Sequence, residues 1–154
     1  MDLTGVITGS TMTELTSPTY TLAADAALET NQKAYTVSTL GGTQTGVEVH
    51  NVVVPFQAIL ARPKSVKAPA NLSATAVGLQ NVPVNEHKIM TRKGVKVNTT
   101  GAYGRSLFET RLVVPAGSPY FDQVELAAHL SLHIGILVQY RQSILSGMIT
   151  TGSF

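Results

Sequence analysis

Between residues 86 and 98 the sequence reads EHKIMTRKGVKVN, with Lys88, Arg92 and Lys96 at every fourth position. In an extended strand alternate side chains point to opposite faces, so these three share a face with Met90 and Gly94. Ile89, Thr91, Lys93, Val95 and Val97 fall on the other face, which is largely apolar. Four residues of strand span about 13 Å. Cations at that spacing can neutralise phosphates of a polyanion, with binding that weakens as salt rises. Lys93 breaks the pattern, and a bulge near Gly94 would change the parity. The wider charge distribution agrees: residues 62–111 hold nine of the eleven bases against two acids, Glu86 and Glu109. Residues 1–61 hold only Lys33 against five acids, and residues 112–154 hold Arg141 against Asp122 and Glu125. Such asymmetry suggests a polyanionic partner, although charge alone is equally met by an ordinary solvated face.

Other chemistry finds little support. His129 and His133 stand four apart in HLSLH, a spacing that suits zinc, but the Glu of HExxH and a third ligand are missing. Satisfied buried or interface histidines are the better reading, and His50 and His87 have no evident partners. The segment 41–46, GGTQTG, lacks the lysine and helix of a phosphate loop and reads as a turn. No serine stands in a GxSxG elbow. With no cysteine, disulfides, thiolate metal sites and a cysteine nucleophile are excluded. The expectation is a protein with no catalytic site, metal or cofactor.

The elements that must position the basic strand follow from pattern. A length of 154 residues suits one domain, 1–154. Charged residues are 13% of the chain, about half the usual share. Either much of the surface is hidden against other chains, or it is rich in Thr, Ser and Asn. The start lacks a basic and apolar leader, and the apolar stretch 126–138 is too short to span a bilayer. The reading is a soluble protein without export or membrane partner.

Residues 1–50 read as an N-terminal arm and a hairpin, with strands near 33–40 and 44–50 about a turn at Gly41-Gly42. Residues 51–115 carry the sheet. An apolar strand region at 51–61 is interrupted by Pro55. A basic loop over 62–70 contains Lys64, a weak strand is expected at 72–79, and a turn at 80–85. A flexible loop over 99–105 follows the basic strand. The segment 106–114 is a strand ending at Pro115, with Phe108, Thr110, Leu112 and Val114 on one face and Leu107, Glu109, Arg111 and Val113 on the other. Arg111 thus has the parity to join the basic face.

Residues 118–149 are helical. Either Ser118 caps, with Pro119 in the first turn, or Asp122 caps with Glu125 in a capping box. Leu126, Leu130, Ile134 and Leu137 form one apolar stripe, and Val124, Ala127, Ala128, Ser131 and Gly135 a second. A helix apolar on both stripes is buried on more than one side, which in so small a protein suggests a subunit interface. Residues 143–148 read as a further short turn, with Gly147 as a C-cap. Gly135 and Gly147 leave open one long or bent helix against two. Strands followed by helices, without βαβ alternation, give α+β: an antiparallel sheet with helices on one face.

The segment SLFETRLVVP (106–115), the short turn, the helix around Val124-Glu125-Leu126 and the tail TTGSF resemble the C-terminal half of levivirus-type coat proteins of single-stranded RNA bacteriophages. The basic strand 87–97 resembles that family's Lys-rich strand, so the resemblance covers about 86–154. Residues 1–85 match in type only, and the N-terminal part is longer than in small members. The resemblance implies helices that cross onto the sheet of a partner chain in an intertwined homodimer. Leu126, Leu130, Ile134, Leu137 and Phe108 would lie in that interface. It implies an icosahedral shell, with a maturation protein as a further partner, assembled in the bacterial host cytoplasm. It implies a sheet face turned inward onto genomic RNA and able to bind a repressor hairpin. Lys88, Arg92, Lys96 and Arg111 would contact RNA, with Lys64 beside them. Two other readings remain: a different phage structural subunit (tail or head-joining), or a dimeric RNA-binding regulator that forms no shell.

Overall fold

The computed structural model describes residues 2, 3, 5–73 and 75–152, without the side chains of Met148 and Ile149. The end of the tail, Ser153-Phe154, lies outside the described residues. Six strands form one antiparallel meander in sequence order: β1 Gly5–Thr8, β2 Thr16–Asp25, β3 Gln32–Thr43, β4 Phe56–Ala61, β5 Val84–Lys96 and β6 Tyr103–Pro115. Two helices follow, α1 Ser118–Phe121 and α2 Gln123–Thr150. The α+β class and the strands-then-helix order expected from the sequence are found.

Prolines stand at the start of β4 and the end of β6, positions that tolerate the missing N–H. Pro55 stands just before β4, so the apolar run 51–61 contributes a strand only from Phe56. Pro115 is the last residue of β6. Between β5 and β6 the register runs without a shift from Val84 opposite Pro115 to Lys96 opposite Tyr103. No bulge forms at Gly94, and the parity read from the sequence holds to the end of the strand.

Three expectations about strands fail. Gly41-Gly42 lies within β3, not at a turn, and residues 44–50 form no strand. The glycines instead admit β2: a Cβ on Gly42 would stand 2.1 Å from the Ser17 carbonyl oxygen, and Gly42 has a left-handed φ of 74°. The hairpin partner of β3 is therefore β2. The described residues of 72–79 are in no strand either. They belong to a long connection punctuated by Pro63, Pro69, Gly78 and Pro83. It is anchored where the Asn85 side chain bonds both the N–H and the carbonyl of Lys67.

At the helices, Ser118 does not cap; its hydroxyl donates to the Pro115 carbonyl at 2.9 Å, and Gly117, at φ 98°, precedes α1. Asp122 is the cap of α2, accepting from the Glu125 N–H at 3.2 Å. The helix is single, with 28 residues continuing through Gly135 and Gly147, and is about 42 Å long. Neither glycine breaks it, since each costs only about 1 kcal/mol relative to alanine. Residues 143–148 are therefore part of α2, and Gly147 supplies a carbonyl to the Thr151 N–H rather than ending the helix.

Among the described residues the buried apolar core is thin: Ala34, Tyr35, Val37, Val54, Ile59 and Ala116, with Pro18 fully enclosed. The N-terminal segment helps to cover it. The Leu3 N–H donates to the Tyr35 hydroxyl at 3.1 Å, and Asp2 pairs with Lys33. That lysine holds the Asp2 carboxyl below its ordinary pKa. No helix among the described residues is long and apolar enough to cross a membrane.

Candidate functional site

Residues directly opposite in an antiparallel pair point to the same side of the sheet. Lys88 lies opposite Arg111, Met90 opposite Glu109, Arg92 opposite Leu107, Gly94 opposite Arg105 and Lys96 opposite Tyr103. One face of β5 and β6 therefore carries Lys88, Arg92, Lys96, Arg105 and Arg111 together with Glu86 and Glu109. Sequence reading missed Arg105, because loop residues 103–105 prove to be strand and only pairing register aligns them with Gly94.

The face has two electrostatic halves. Toward the Pro115 end, Glu86 bonds the Arg111 guanidinium and lies 3.3 Å from the Lys88 ammonium. Glu109 reaches the same ammonium at 3.4 Å. The Arg111 hydrogen bond, helped by Lys88, holds the Glu86 carboxyl below its ordinary range, and Glu86 with Glu109 raises the Lys88 ammonium. Toward the β5–β6 loop, Arg92, Lys96 and Arg105 have no acidic partner among the described residues. Lys96 sits 5.9 Å from the centre of the Tyr103 ring.

Lys93, which interrupts the pattern, is on the opposite side. Its ammonium donates to the Glu48 carbonyl at 2.6 Å and lies 4.6 Å above the Phe56 ring. Burial lowers its pKa, while the Glu48 carboxylate opposes that shift. The cation–π contact explains how a lysine is tolerated on an apolar face. Lys64 is on neither face of the sheet: it follows β4 in the long connection and pairs with Glu29 at 2.8 Å.

Over β5 and β6 the other face is apolar and uncovered, whereas Tyr35 and Val37 of β3 on the same side are buried. Leu60 pairs with Ile89 and Thr91 with Phe108, and His87 stands opposite Leu112. Ile89 is 47% exposed and Phe108 63%. The start of α2 encloses a hollow of about 90 Å³ against β6, lined by Leu112, Val114, Leu126, His129, Leu130 and His133. The stripe meant for burial stays open: Leu126 is half-buried, whereas Leu130, Ile134 and Leu137 are 42%, 51% and 46% exposed. Farther along, the helix meets the β1–β2 connection, where Arg141 Nε donates to the Thr11 carbonyl at 3.0 Å and the Thr13 N–H to Gln142 Oε1 at 3.1 Å. No group of three metal-ligating side chains occurs among the described residues.

An antiparallel meander with one charged face, one uncovered apolar face and a long exposed helix defines a structural subunit. The sequence matches no family profile and no curated protein. Solved structures do match. The chain is similar to a virus-like particle of bacteriophage ESE020, with 33% identity, a TM-score of 0.82 and 97% of each chain covered. It shares its fold with a virus-like particle of Wenzhou levi-like virus 4, at 12% identity and a TM-score of 0.55, covering 96% of this chain and 85% of that one. The chain belongs to the coat proteins of levi-like RNA bacteriophages, and it is a capsid protein rather than an enzyme.

Proposed function

We propose that two copies of the chain form an intertwined dimer, that dimers assemble into an icosahedral shell, and that the charged sheet face points inward onto single-stranded RNA. The observation that carries the dimer is the paired exposure of Ile89 and Phe108 on the sheet and of Leu130, Ile134 and Leu137 on α2. Burying one such side chain is worth about 1.5–3 kcal/mol. A second copy, laying its α2 over this sheet while its own sheet receives this α2, covers both surfaces at once. A subunit so built has little stability apart from its partner. The 154 residues act as a single coat domain in this reading.

The RNA contact rests on the cations of β5 and β6. Lys88, Arg92, Lys96 and Arg111 share one face, whereas Lys64 sits in the connection beyond it and is the weakest member of the set. Repression by an RNA hairpin, contact with a maturation protein and assembly in the host cytoplasm belong to the same reading, through family membership alone.

Expression of the chain alone in bacteria, followed by negative-stain electron microscopy and ultraviolet absorbance of the same fraction, tests the proposal. Uniform round particles of a few hundred ångströms with a nucleic-acid spectrum are expected. Dimers that bind RNA without growing would replace the shell with a regulator, and open tubes or rings without nucleic acid would mean another phage subunit.

A further inference from the structure

We infer that Glu86 and Glu109 determine where RNA is held: by occupying Lys88 and Arg111 they confine the grip to Arg92, Lys96 and Arg105. This rests on the RNA-binding reading above and adds a boundary within that face.

The geometry gives each half a different charge. Around Lys88, two cations and two carboxylates are joined by three contacts, Glu86 with Arg111 and Lys88, and Glu109 with Lys88. A phosphate approaching either cation must lie beside a carboxylate that is already seated there. Exposed ion pairs of this kind add little to stability. They do decide where an anion can approach, because like charges brought together are unfavourable.

The other half has no such restraint. Arg92 and Lys96 are about 13 Å apart along β5. Arg105, opposite Gly94, stands between them and one strand to the side. The room a side chain at Gly94 would need is taken by Val54 and Pro55, each 3.0 Å from where a Cβ would stand, so the three cations ring an uncharged spot, and none of them has a carboxylate partner among the described residues. The two strands therefore offer three positive charges without an ion-pair partner among those residues at one end, where the Glu48 carboxylate is held by the Tyr103 hydroxyl at 3.0 Å, and a neutral network at the other.

The test is the salt dependence of binding of a labelled random single-stranded RNA oligonucleotide to the full chain, comparing wild type, Glu86→Gln/Glu109→Gln, Glu109→Gln alone, and Arg92→Ala/Lys96→Ala/Arg105→Ala. Each added phosphate contact steepens the log–log slope by about 0.7. The double glutamine variant should bind on the order of tenfold tighter at moderate salt and steepen the slope by about 1.4 per chain, for two released cations. Glu109→Gln alone, which keeps the Glu86–Arg111 bond, should shift both in the same direction by less, and it serves if the double variant misfolds. The triple alanine variant should lose most of the slope. Unchanged slopes in both glutamine variants would overturn the inference while RNA binding by the wild type stands, as would a triple variant that binds like wild type. A wild-type chain with no salt-dependent binding would remove the RNA reading and this inference with it.

Discussion

Lys88 and Arg111 face each other across the β5–β6 ladder, and one carboxylate, Glu86, is bound to both. Two of the cations that the sequence places on the basic face are thus internally neutralised. Their proximity in space follows from the register, as does the approach of Glu109 from the neighbouring strand.

The first prediction concerns acid. Glu86 has a folded pKa below its ordinary 4.5, chiefly through the Arg111 hydrogen bond. Its contribution to stability is therefore complete above pH 4.5 and is lost as pH falls through the lower folded value. Urea midpoints of wild type and Glu86→Gln, measured across acidic to neutral pH, should differ by a constant amount above pH 4.5 and converge below it. A difference that stays constant into strong acid would show that the ion pairs do not matter to folding.

Glycine substitutions should separate close approach from backbone conformation. Gly42 and Gly46 both have left-handed φ, 74° and 80°, but only Gly42 faces an obstructing atom, the Ser17 carbonyl oxygen. Gly46→Ala should cost about 1–2 kcal/mol. Gly42→Ala should cost more, at least about 3 kcal/mol, since β2 must also move. Equal losses in chemical denaturation would mean that β2 and β3 can separate there without penalty.

Introducing a charge on the uncovered apolar surfaces should abolish assembly. Leu130→Asp or Phe108→Asp would bury a carboxylate against the apolar surface of the partner, which is costly. Size-exclusion chromatography should find aggregate or no soluble product. A well-folded soluble monomer would contradict the intertwined dimer.

Lys93 should be silent in RNA packaging. Its ammonium is engaged by the Glu48 carbonyl and the Phe56 ring, on the face opposite Arg92. Lys93→Met retains most of the stem, so stability should change by less than about 1.5 kcal/mol and the nucleic-acid absorbance of purified particles should not change. Arg92→Ala should lower that absorbance. An equal loss in Lys93→Met would place RNA on both sides of the strand.

Much of the local structure is legible in the sequence. The parity of residues 86–96 and 106–114 separates the two faces correctly, because period-two alternation survives wherever a strand is regular; residues 97–98, read as part of the same strand, lie beyond its end. Asp122 was among the alternative caps because a carboxylate three residues before Glu125 suits an N-terminus. The low charge and two-sided apolar helix pointed to other chains, because a small fold cannot bury such a helix alone.

The sequence by itself determined which residues could share a face, where a proline must end a strand, and that this chain is strands followed by helix. It could not determine that Gly41-Gly42 sits within β3, since a glycine required by a neighbouring strand looks the same in one dimension as a glycine required by a turn. Nor could it choose between one helix and two, because the small local cost of Gly135 and Gly147 sets no break. Only the tertiary structure decided that Arg105 stands between Arg92 and Lys96 while Glu86 and Glu109 close around Lys88. Those relationships depend on register between strands, and register is fixed by the packing of the whole sheet rather than by the residues of either strand.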